Sequence, residues 1–164
     1  MMVFKNIFTL CIILIATNSF SQTTECNLQK ENKAWLAEFR RTDNIPDQLS
    51  LIIQKIKSDT VYTRLKSVIN KPHSSRIHNY VDKNNNLCGT KILFTIDSHK
   101  IDLNERPSDI KVVNKLSAKQ IESITFMEPK MASALFGSHG NKGAVIINSK
   151  NEILNTLINK AHSE

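Results

Sequence analysis

An α+β fold is expected, with amphipathic helices first and a small sheet-and-helix unit after them, and three observations predict it. Apolar residues recur at three- and four-residue steps through the first half, from Leu28 to Ile69. Apolar runs of strand length replace them after Gly89. Glycine is also concentrated: of four in the chain, three fall between residues 137 and 143, where a predicted short helix turns into a predicted strand.

Residues 1–21 read as an export signal. Lys5 is a short basic start, Ile7 to Ala16 is apolar apart from Thr9, and the small residues Ser19 and Ser21 stand where a signal peptidase reads. Gln22 is the expected mature start. The run is far shorter than the roughly 20 apolar residues that span a bilayer, so cleavage is expected rather than anchoring. No transmembrane segment is expected after leader removal.

Residues 22–72 are expected to be helical. Leu28, Trp35, Leu36 and Phe39 share one face of a first helix. Asn44-Ile45-Pro46 interrupts it, and Asp47 is the expected cap of a second helix carrying Leu49, Ile52, Ile53 and Ile56. Val61, Leu65, Val68 and Ile69 continue that stripe until Lys71-Pro72. Residues 73–90, with Lys83-Asn84-Asn85-Asn86, read as a polar linker, and His73 and His78 as surface side chains.

Residues 91–150 form the sheet-and-helix unit. Ile92, Phe94 and Ile96 alternate as in a half-buried strand, and Asp97 to Lys100 make a tight turn leading to Ile101 and Leu103. A loop follows around Arg106 to Asp109. Ser117 caps a short helical approach, and Ile121 to Met127 alternates again, with Ile124 and Phe126 on one side. Pro129 opens a short helix, because the first helical position does not need its missing N–H. Gly137 ends that helix, where a left-handed residue is cheapest. Ala144 to Ile147 is a continuous apolar strand. Residues 151–164 carry Ile153, Leu154, Leu157 and Ile158 at helical spacing and are expected to form a closing helix.

The formal charge is +7, one unit lower once Lys5 leaves with the leader. The basic residues are spread along the chain and interleaved with acids, so a nucleic-acid partner is not expected, and anionic membrane surfaces or acidic proteins suit the charge better. Two cysteines, Cys26 and Cys88, follow the leader. In an oxidising compartment they can form a disulfide, worth about 4 kcal/mol for a loop of this length on the chain-entropy model. With no second Cys or His close to either one, their spacing gives no metal site.

The loop Gly137-Ser138-His139-Gly140-Asn141-Lys142-Gly143 is the candidate binding site. A helix enters it and a strand leaves it, which is the wrong order for a phosphate-binding P-loop or a KH-type loop, both of which open a helix. Ser138 directly follows Gly137 on a helix-to-strand turn, the reverse of a nucleophile elbow. No catalytic residue or cofactor is therefore expected. What the loop offers is backbone donors together with Ser138, His139, Asn141 and Lys142, a set suited to peptide, glycan or protein contact. A small exported hydrolase is the alternative of another class, with His99 beside Asp97 and His139 as its only candidates, and a purely structural envelope protein is the third reading.

Leu116 to Lys150 resembles the end of the plug domain of TonB-dependent receptors, especially the SusC-like group of Bacteroidetes. The resemblance is carried by Ile121-Glu122-Ser123-Ile124, by Ala134-Leu135-Phe136-Gly137-Ser138, and by Gly140, Gly143 and Lys150. Leu93-Phe94-Thr95-Ile96-Asp97 is similar to a family strand that ends in an Asp-Gly turn, with Ser98 in place of the glycine, and His139 stands where the family carries arginine. The resemblance implies a plug-like domain over residues 91–150 and a place in the periplasm or at the periplasmic face of the outer membrane. It also implies an envelope partner, such as a receptor barrel, a sensor or an energy-transducing component. Only fourteen residues follow Lys150, so the barrel of some two dozen strands is not expected here.

Overall fold

The computed structural model describes residues 26–65 and 79–150. Two helices come first, α1 (Leu28–Phe39) and α2 (Ile45–Ser58). Asn44 caps α2, its side chain accepting the Asp47 N–H at 2.9 Å, so the expected cap lies three residues too late. Pro46 is tolerated inside the first turn because no intrahelical partner awaits an N–H there.

The helical stripe stops at Ser58. A single 3₁₀ turn, Asp59–Val61, leads into β1 (Thr63–Arg64), which pairs antiparallel with β2 (Tyr80–Val81). Val61 and Leu65, expected to extend the buried face, are 63% and 49% exposed. At the helix end the Asp59 carboxylate reaches back to the Lys55 ammonium, at 2.7 Å, both side chains being buried.

The described part of the expected linker, residues 79–90, is built into the fold. β2 pairs with β3 (Leu87–Gly89), and Tyr80, Val81 and Cys88 are buried. The Asp82 carboxylate gathers the N–H groups of Asn84 and Asn86 and makes the turn between the two strands. The sequence shows the polar turn; two- and three-residue strands are too short to show a period.

The second sheet is mixed, in the order β5-β4-β7-β6. Its strands are β4 (Leu93–Ile96), β5 (His99–Ile101), β6 (Ile121–Met127) and β7 (Ala144–Ser149). β4 and β7 run parallel at the centre, with Phe94 opposite Val145 and Ile96 opposite Ile147. β4 is buried along its whole length rather than half-buried, because both faces of the sheet are covered. A register shift between Ile121 and Ser123 sets Glu122 outside the regular pairing and keeps Ile121, Ile124 and Phe126 together.

One face of this sheet meets α1 and α2 in the main core. Trp35 stacks on Phe39 and meets Phe94 edge-on, at ring centroids 5.0 and 5.7 Å apart. Ile52, Ile56, Ile96, Val145, Ile147 and Ile121 fill it, and the short helix α3 (Ile110–Val113) adds Val112 and Val113. On the opposite face Leu93 and Ala144 pack against Ala132, with Met127 and Phe136 beside them. Ala132 and Phe136 belong to α4 (Pro129–Phe136). No helix among the described residues is long and apolar enough to cross a membrane. The leader, His73, His78 and the closing helix over residues 151–164 lie outside the described residues.

Candidate functional site

The glycine loop closes the second face of the sheet. Pro129 starts α4 directly after β6, and Gly137 ends it at φ +60°, a conformation that L side chains adopt at a cost. The chain then makes a 3₁₀ turn, Gly137–Gly140, that lies back on α4. A Cβ at Gly140 would stand 2.2 Å from the Ala132 carbonyl carbon, so only glycine permits this approach. Gly143, at φ +89°, sits against the Phe126 ring, 2.4 Å from where its Cβ would be. Gly140 and Gly143 are therefore held by packing against α4 and β6.

Of the candidate binding residues, Gly137, Asn141 and Lys142 are exposed, Ser138 and His139 are half-buried, and Gly140 and Gly143 are buried. Ser133 Oγ donates to Asn141 Oδ1 at 3.1 Å and ties the loop to α4. Lys100 Nζ lies 3.1 Å from His139 Nδ1, a hydrogen bond that joins the loop to β5, and 2.9 Å from Glu105 Oε2. Asp97, placed beside His99 in the sequence, instead accepts from the Ser149 N–H at 2.8 Å and the Ser149 hydroxyl at 2.5 Å. His99 Nε2 lies 3.8 Å from the buried carboxylate of Asp109, which Arg106 also approaches.

Cys26 and Cys88 form a disulfide, with Cα atoms 5.2 Å apart. It packs with Leu28, Tyr62 and Tyr80. The Asp82 carboxylate is close enough to both sulfurs to suggest a metal-ligand trio. Sulfurs joined to one another offer no thiolate, however, and Asp82 is engaged with the turn it builds.

Sequence reasoning missed a buried polar cluster where α2, the first sheet and β4 meet. Lys91 Nζ lies 3.8 Å from Asp102 Oδ1, 2.8 Å from Asn104 Oδ1 and 4.2 Å from the centre of the Tyr80 ring. The Tyr80 hydroxyl donates to Asp102 Oδ2 at 2.5 Å. Tyr80, Lys91 and Asp102, with Asp59, Thr90, Lys100 and His139, line a cavity of about 30 Å³, room for about two water molecules. Lys55 and Asp59 are a pair four residues apart, a local spacing. The contacts of Lys91 and Tyr80 span from 11 to 22 residues and leave no local pattern.

Burial works to raise the Asp102 carboxyl, but the Lys91 ammonium, the Tyr80 hydroxyl and the Asn104 N–H outweigh it and hold the group below the usual carboxylate range. Burial pushes Lys91 down, against the pull of Asp102 and Asp59, and it pushes Tyr80 up, with Asp102 adding to the rise. A carboxyl depressed in the folded chain stabilises fully above its unfolded value, near pH 4, and that contribution is lost as pH falls through the folded value. Asp59, raised chiefly by burial, works in the opposite sense in acid. Asp102→Asn is expected to cost about 1 to 3 kcal/mol at neutral pH by weakening the partner of a buried ammonium. It should also flatten the acid limb below about pH 4. Urea midpoints across a pH series check both; an unchanged acid limb would show that Asp102 is not the group titrating there.

The chain was compared with family models, with curated proteins and with solved structures, and it matches none of them.

Proposed function

We propose that this chain is a non-catalytic binding module of the bacterial envelope, exported by its leader and similar over residues 91–150 to a receptor plug. The observation that carries the reading is the order of helix, glycine loop and strand in Pro129–Ser149. This unit spans the second sheet face and leaves Asn141 and Lys142 at the surface. A rigid scaffold presenting a short polar loop is the usual arrangement for recognition by contact. Its partner on this reading is an envelope protein: a receptor barrel, a sensor or an energy-transducing component.

A second reading, a structural envelope protein, is favoured by a separate observation. Gly140 and Gly143 are both accounted for by packing alone. The two readings part at the exposed residues, which packing does not need. In-cell crosslinking of the envelope fraction should give one dominant adduct, lost from Asn141→Ala/Lys142→Ala, while the melting temperature falls only by the little that the exposed Ser133–Asn141 hydrogen bond contributes. An adduct indifferent to both substitutions would favour the structural reading.

A further inference from the structure

We propose that the outward face of α4 docks on an anionic phospholipid surface. α4 exposes Lys130, Met131, Ala134 and Leu135. Met131 and Leu135, one turn apart, are 62% and 65% exposed, a large exposure for neighbouring apolar side chains. The inward side of the same helix is locked by Ala132 and Phe136 against the sheet, so the ridge is held outward by a fixed scaffold.

Exposed lysines lie to one side of the ridge. Ser133 meets Asn141, which sets the loop and the exposed Lys142 on the flank that also carries Lys130, one turn from Ser133. The acid at the start of the helix, Glu128, is paired with Arg40, so the two together add no net charge beside the lysines. Apolar side chains beside lysines match the boundary between acyl chains and anionic headgroups. A protein partner would need a complementary surface of about 800 Å² a side, and one ridge with two large side chains offers far less. A second copy would bring the same lysines and the same positive net charge, +7 less the one unit that leaves with Lys5, which oppose each other. A bilayer needs neither a groove nor a matching area.

The proposal leans on the envelope reading only for where such a surface is met; its test needs no envelope partner. The chain is purified as exported and processed by the cell, with its N-terminus read by mass spectrometry so that no leader contributes. It is then sedimented with vesicles of phosphatidylglycerol and phosphatidylethanolamine, or of phosphatidylcholine alone. Sedimentation with the anionic vesicles, weakened by salt, is expected, with little on phosphatidylcholine. Met131→Ser/Leu135→Ser should weaken it by about tenfold or more, and Lys130→Gln/Lys142→Gln should remove most of the salt dependence. Val61→Ser, at an exposed apolar residue outside α4, should bind as the parent does. Equal binding to both vesicle types, equal loss with Val61→Ser, or no binding at all would overturn the proposal. So would a dimer in solution that Met131→Ser/Leu135→Ser dissolves, since the ridge would then belong to a second copy.

Discussion

Cys26→Ser lowers the free energy of unfolding by about 4 kcal/mol, the expected result of opening a loop whose ends lie 62 residues apart. The bond ties the entrance of α1 to β3, and the small cluster beneath it, with Leu28, Tyr62 and Tyr80, is too small to hold those ends alone. Cys26 is the residue to change because Cys88 is the more deeply buried of the two. A serine hydroxyl at Cys88 would add a burial penalty that the lost bond does not explain. Urea titration of the parent, the reduced parent and Cys26→Ser makes the test internal. Reduced parent and variant should coincide, with the oxidised parent well above both. If all three unfold together, the sulfurs are not joined in solution.

How legible the molecule is depends on whether a residue's partner lies within a turn or a strand of it. Trp35 and Phe39 declare a buried helix face, and Pro129 and Gly137 bracket α4, because helix spacing and backbone chemistry are local properties. Ile121 to Met127 is legible as a strand although the shift at Glu122 breaks its period, since Ile124 and Phe126 still alternate beyond it. The second helix reads too long because Val61 and Leu65 continue its spacing by coincidence, while the chain leaves the helix at Asp59 and both side chains end exposed. The cluster of Tyr80, Lys91 and Asp102 is not legible at all. Each member reads as an ordinary surface residue, and only the meeting of α2 with both sheets removes them from water. In the glycine loop the sequence shows that the backbone must do something L side chains resist. It does not distinguish approach by a ligand from approach by the chain's own helix, and at Gly140 the approach is internal.

That distinction gives a prediction about the three glycines in order. Gly140→Ala should be the most damaging, because its Cβ falls 2.2 Å from one backbone atom of Ala132 and 2.3 Å from another, and backbone inside a helix cannot swing aside. Overpacking of this kind costs about 3 kcal/mol or more when nothing can yield. Gly143→Ala meets the Phe126 ring at 2.4 Å and the Met127 carbonyl oxygen at 2.9 Å, at a φ of +89° besides. A ring edge can tilt, so its cost should fall somewhat below that of Gly140→Ala. Gly137→Ala has open space around it and only the φ of +60° to resist it, a penalty of about 1 kcal/mol. Thermal melts of the three variants should therefore rank Gly137→Ala closest to the parent and Gly140→Ala furthest. The reverse order, with Gly140→Ala harmless, would mean that the loop does not lie on α4. Gly140 would then be free to serve a ligand, and the placing of Lys142 beside α4 would no longer hold. The exposed ridge and the buried glycine are thus two sides of one packing: α4 turns Ala132 toward the sheet and the loop, and Met131 and Leu135 away from them.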